Sequence, residues 1–140
     1  LQVIQNRALR NVYCLDSKQN RVEMYLNQVD NFLPLRAIFY TNTAAFMFNC
    51  LKKRYHNNLD FSFTIPRSSR ARSYIKPQKS NTQYGSRRIS AIGPKIFNEL
   101  PENIQKCHHI YSFKRAIKNH IRNEDFLNSC FNGKFIGKYV

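Results

Sequence analysis

The sequence predicts a mainly α-helical domain with an irregular basic insert, and leaves room in that insert for short β segments. Three observations predict this fold. Apolar residues recur at intervals of three and four over 1–15, 21–29, 35–55 and 113–122. After Asp60 that period lapses, and Ser, Asn, Gln and Pro are plentiful from 66 to 83. The apolar share, 42% of 140 residues, suffices to bury a core, so the chain is not disordered throughout.

The opening stretch places Leu1, Ile4, Ala8, Leu9 and Val12 on one helical face, with Gln5, Asn6, Arg7 and Arg10 on the other. Residues 16–20, Asp-Ser-Lys-Gln-Asn, break it. Val22, Tyr25, Leu26 and Val29 mark a short helix over 21–29, before Pro34 stops it or sets up the next start. The core helix is expected over 35–55, from Leu35, Ile38, Phe39, Ala45, Phe46, Cys50 and Leu51, with Met47 and Phe48 widening the stripe. Lys52, Lys53 and Arg54 crowd its last turn, where cations suit the helix dipole. Short strands are expected at 61–65 and 86–92.

Regular structure resumes at Gly93-Pro94, with Pro94 in the first turn of a helix carrying Ile96, Phe97 and Leu100. Pro101 ends it and begins a further turn containing Ile104. Phe97 is expected in the core beside Leu100 and Ile104. Ser112 reads as the N-cap of the last clear helix, apolar along Phe113, Ala116, Ile117 and Ile121 and basic along Lys114, Arg115, Lys118 and Arg122. From 126 onward no period is clear. The chain divides into a helical segment 1–60, a basic insert 61–92, a helical segment 93–125 and a tail 126–140, together one domain. It begins without Met, on what reads as a helix already under way, so a piece of a longer protein is expected.

Charge points to a partner. The net charge is +15, from 23 Lys and Arg against 8 Asp and Glu, a balance that suits a polyanion. Between Asp60 and Glu99 there is no acidic residue, while Arg67, Arg70, Arg72, Lys76, Lys79, Arg87, Arg88 and Lys95 all fall there. Arginine forks fit phosphate oxygens, and Tyr74 or Tyr84 can stack on an unpaired base. The plain alternative is a solvated loop whose charge only aids solubility. The residues assigned to nucleic-acid contact are Arg67, Arg70, Arg72, Lys76, Lys79, Tyr84, Arg87 and Arg88, extended by Lys114, Arg115, Lys118 and Arg122.

Other chemistries find little support. No run of 18 apolar residues occurs, and no secretory signal layout, so no membrane partner is expected. The basic helix 113–122 has a narrow apolar face without Trp, which suits core packing better than a membrane surface. Cys14, Cys50, Cys107 and Cys130 are widely spaced, and a reducing compartment with idle thiols is expected. Cys107-His108-His109 with His120 lacks the paired spacing that structural zinc uses. Adjacency does not make Cys107 and His108 a catalytic dyad. Glu124-Asp125 is the only adjacent acidic pair, too little to hold catalytic Mg²⁺, and no glycine-rich phosphate loop is present. No metal, cofactor or small-molecule substrate is expected, and the chain alone is expected to be non-catalytic.

Three pieces carry a family resemblance. They are Leu1-Gln2-x-x-Gln5-Asn6-Arg7-Ala8-Leu9-Arg10; Arg88-Ile89-Ser90-x-x-Gly93-Pro94-Lys95-Ile96-Phe97-Asn98-x-Leu100-Pro101; and Ile104 followed by Ser112-Phe113-Lys114-Arg115-x-x-Lys118. In order and spacing they resemble the thumb and linker region C-terminal to the polymerase core in non-LTR retrotransposon (LINE) reverse transcriptases of the jockey-like kind. Phe97 stands where that family often has Trp. The resemblance covers residues 1–122. It implies an accessory part of an RNA-directed DNA polymerase, whose Tyr/Phe-x-Asp-Asp motif would lie upstream and is absent here. It further implies RNA or DNA as partner, the upstream polymerase core as a second partner, and residence in the nucleus or a cytoplasmic ribonucleoprotein. The alternative is a module that docks on the polymerase core without touching nucleic acid.

Overall fold

The computed structural model describes residues 1–16, 18–28, 32–52, 63–64 and 74–131. In chain order the elements are α1 (Gln2–Val12), α2 (Arg21–Glu23) running into a π-helical turn (Met24–Gln28), α3 (Leu35–Leu51), β1 (Phe63–Thr64), β2 (Tyr74–Ile75), α4 (Gln83–Ser86), α5 (Ile89–Glu99), α6 (Glu102–Gln105), α7 (Ile110–Ile121) and α8 (Glu124–Phe131). The protein is mainly α. The two strands pair antiparallel, Phe63 opposite Ile75 and Thr64 opposite Tyr74.

α3 is the centre of the main core, with α5, α7 and α8 packed on it. Its buried residues Ala37, Tyr40, Ala44, Met47 and Phe48 recur at three and four along one face, whereas Leu35, Ile38 and Phe39, expected in the apolar stripe, are exposed. Gly93 lets α5 approach closely: a Cβ there would lie 2.5 Å from the Met47 sulfur, and Met47 is fully buried. Phe97, Leu100 and Ile104 join this core, as do Phe113, Ile117 and Ile121 of α7.

Pro94 lies inside α5, which starts at Ile89 rather than at Gly93-Pro94. Proline cannot donate to the carbonyl four residues back, Ser90. That freed carbonyl accepts the N–H of Gln78 at 3.2 Å, so the break in the helix ladder anchors the preceding loop. The strand expected at 86–92 is accordingly helix, in α4 and the first turn of α5. Asn98 fastens the same region to β2: the Ile75 N–H donates to its Oδ1 at 3.0 Å, and its Nδ2 donates to the Ile75 carbonyl at 2.8 Å. Gln105 Nε2 donates to the Phe97 and Leu100 carbonyls at 2.6 and 3.0 Å, satisfying acceptors that the end of α5 leaves open.

α1 sits the other way round from its apolar stripe. Leu1, Ile4, Ala8 and Val12 face solvent, while Asn6 and Leu9 are buried. Hydrogen bonding decides this. Pro34, at the N-cap position of α3, brings no side-chain acceptor, and the Leu35 N–H donates to Gln2 Oε1 at 2.8 Å and Gln5 Oε1 at 3.2 Å instead. Gln5 Nε2 donates to the Leu33 carbonyl at 2.9 Å. Tyr25 donates its hydroxyl to Asn6 Oδ1 at 2.9 Å, and Gln2 Nε2 donates to the same oxygen at 2.9 Å. Turning these amides outward would leave a buried tyrosine hydroxyl unpaired, costing about 1–3 kcal/mol.

Three further boundaries differ from expectation. α7 begins at Ile110 with His109 at the N-cap position, not at Ser112, because Ile110 extends the buried face one turn earlier. α3 ends at Leu51, and Lys52 closes it with its ammonium 5.8 Å from the Phe48 ring; Lys53 and Arg54 lie outside the described residues. The start of the tail forms α8, which joins two cores. Its Phe126 and Cys130 pack on the main core, and Leu127 belongs to a smaller one with Leu9, Val22, Met24 and Tyr25.

All four cysteines are free thiols. Burial pushes the Cys130 thiol up to about 11 from its ordinary 9.0, opposed by nearby Arg36. Burial likewise raises Tyr25, opposed by its bond from Gln2, and raises Tyr40. The folded state therefore keeps these protons at a pH where the unfolded chain releases them, and stability falls as pH rises above about 9. Urea midpoints should hold between about pH 7 and 8.5 and drop by about pH 10.5; a midpoint unchanged there would contradict the burial.

Candidate nucleic-acid interface

The residues predicted to contact nucleic acid fall in three places. Arg67, Arg70 and Arg72 lie outside the described residues. Lys76, Lys79, Tyr84, Arg87 and Arg88 are exposed around the loop 76–82, α4 and the start of α5. Lys114, Arg115, Lys118 and Arg122 are exposed along α7 and its C-cap.

The loop is held in shape locally. Its Gln78 is bonded to Ser90, as above. Thr82 caps α4 by accepting the Gly85 N–H on its hydroxyl at 3.0 Å. Ser80 donates its hydroxyl to the Thr82 carbonyl at 2.7 Å. The Ser80 hydroxyl also stands 2.4 Å from where a Cβ on Gly85 would lie, so only glycine fits at that point without a shift. These bonds bring Lys79 and Arg88 to a shared polar cavity of about 170 Å³, lined also by Ser80, Thr82 and Ser90. Tyr84 stands beside it, 79% exposed.

α7 is the more regular surface. Phe113, Ile117 and Ile121 are fully buried, which fixes the opposite face toward solvent. That face carries Tyr111, Arg115, Lys118 and Arg122 at steps of four, three and four, one straight stripe with Lys114 beside it. Arg115 to Arg122 spans about 10 Å of helix axis, more than the step between neighbouring phosphates of one strand. Among the described residues no carboxylate is within ion-pair distance of these four cations. Tyr111 is 85% exposed and was not singled out from the sequence. Its place four residues before Arg115, on the basic rather than the apolar side, was the available signal.

α5 meets α7 through Phe97, whose ring lies 6.1 Å from that of Phe113, so the cations of the 76–88 stretch and those of α7 stand on elements of one core. Among the described residues no group of three or more His, Cys, Asp or Glu is placed to hold a metal ion, and no helix is long and apolar enough to cross a membrane. No protein-family model, curated protein or solved structure matches the chain.

Proposed function

We propose that the chain binds single-stranded nucleic acid, as an accessory region of a retrotransposon reverse transcriptase that positions template RNA or target DNA for a polymerase core upstream. The observation that carries binding is the α7 stripe: three cations in line with an exposed tyrosine, unpaired by carboxylates among the described residues, on a helix anchored by its opposite face. Cations in line match a phosphate backbone, and an aromatic in the same line offers a base a stacking surface. Parentage rests on the three sequence pieces alone, with nucleus or cytoplasmic ribonucleoprotein as the location and no catalysis by this stretch.

The fold gives those pieces a physical role. Gln2, Gln5 and Asn6 tie α1 to Tyr25 and to the start of α3. Gly93, Pro94, Phe97 and Asn98 seat α5 on α3 and β2. Tyr111→Ala and Tyr84→Ala should each weaken binding to single strands by about 1–3 kcal/mol and leave duplex binding nearly unchanged. Fluorescence anisotropy with a labelled oligonucleotide and its duplex measures this, and equal loss on both would remove stacking from the account.

One observation favours a second reading, docking on a polymerase core without nucleic-acid contact. The outer face of α1 presents Leu1, Ile4, Ala8 and Val12 to solvent, an apolar stripe with no partner among the described residues. Failure of the chain to bind any nucleic acid at low salt would leave this reading in place.

A further inference from the structure

Between α1 and the residues Leu15, Gln19, Asn20 and Arg21 lies a cleft of about 720 Å³, away from the residues assigned above. Arg7 and Arg10 from α1 and Arg21 from the start of α2 line it, and among the described residues no carboxylate does. Asn11, Gln19 and Asn20 line it too. Arg7 and Arg10 are three apart, so they share a side of the helix.

Among the described residues no group compensates the positive charge of the cleft. Arg10 Nη2 donates to the Gln19 carbonyl at 3.2 Å, and its Nε is sealed from solvent with no acceptor. Asn20 Oδ1 already accepts the Val22 N–H at 3.1 Å. Asp16, the carboxylate of the adjoining segment, does not line the cleft and accepts from the Lys18 N–H at 3.1 Å. Arg7 and Arg21 are exposed, and no described carboxylate pairs with either.

Three guanidinium groups around one concavity repel each other and focus a positive potential into it, which an anion relieves. Guanidinium forks match phosphate oxygens, and side-chain amides suit sugar and base edges. The volume is in the range of clefts that hold whole ligands, far more than one phosphate ion needs and too little for a duplex. We infer that this cleft grips the phosphodiester backbone of a single nucleic-acid strand, with Arg7, Arg10 and Arg21 on its phosphates. The inference rests on the nucleic-acid reading above but on other residues.

Two measurements on the full chain test it. In a salt series with single-stranded RNA, Arg7→Gln/Arg21→Gln should lower the slope of log K against log salt by about 1.4, at roughly 0.7 per lost contact. A thermal melt checks that the variant is folded. The second measurement needs no variant: backbone amide shifts of the native protein, titrated with a short oligouridylate and separately with inorganic phosphate at equal ionic strength. Asn11, Gln19 and Asn20 should move with the oligonucleotide and not with phosphate. If phosphate moves them equally, the cleft is a free-anion site and the strand inference is wrong. If the oligonucleotide moves only α7 and its surroundings, or the slope of the folded variant is unchanged, the cleft is wrong while the proposed function stands. If the oligonucleotide moves neither, both fall.

Discussion

Phe113→Ala should destabilise the protein by about 3–5 kcal/mol, and Phe97→Ala by a similar amount. Phe113 is fully buried and its ring lies between two others, 4.3 Å from Phe48 and 6.1 Å from Phe97, with interplanar angles of 26° and 22°. One ring comes from each of α3, α5 and α7, so the stack joins the three helices that make the main core. Truncating the middle ring removes two aromatic contacts, worth about 0.5–1.5 kcal/mol each beyond their burial, and leaves a void that three helices would have to close. Phe97 is 7% exposed, so its cost belongs toward the lower end of the range. Chemical denaturation midpoints with an unchanged m-value measure both. A loss below about 1 kcal/mol for Phe97 would mean that its ring does not carry the packing.

Much of this core was legible from the sequence because apolar spacing reports burial when a helix packs by one face. Phe97, Leu100 and Ile104 lie together as their spacing implied, and so do Phe113, Ile117 and Ile121 on α7. The same signal failed at the start of α3, where Leu35, Ile38 and Phe39 are exposed, and on α1, where Asn6 is buried and Ile4 exposed. There the orientation is set by a hydrogen-bond network linking Gln2, Gln5 and Asn6 to partners 19 to 33 residues away, which no local pattern reveals. Pro94 misled for a related reason. A proline usually opens or breaks a helix, yet here its missing donor is compensated by Gln78 from a separate loop. α8 escaped because it serves two cores at once, so its apolar residues point to more than one side.

For the site, charge was legible and arrangement was not. Composition shows that cations outnumber acids, but it does not say which of them stand in line. The α7 stripe follows from its buried face and could be read from the helical period. The shared cavity of Lys79 and Arg88 could not, since it depends on the Gln78–Ser90 bond and on the absence of a Cβ at Gly85.

The central claim is that binding is local to this arrangement and does not follow from net charge alone. Counterion release makes the distinction measurable, because each phosphate contact adds roughly 0.7 to the salt slope on a single strand. At physiological ionic strength charges are screened beyond about 8 Å, so scattered lysines contribute little to a site they do not touch. The most direct measurement compares two variants of equal net charge in a salt series of single-stranded RNA binding. One is Lys114→Gln/Arg115→Gln/Lys118→Gln; the other is Lys18→Gln/Lys52→Gln/Lys106→Gln, three exposed lysines on separate elements. The first should lose about 2 from the slope, and the second less than about 0.5. Equal losses in the two variants would contradict a localised interface on α7 and leave only the attraction of a positively charged chain for a polyanion.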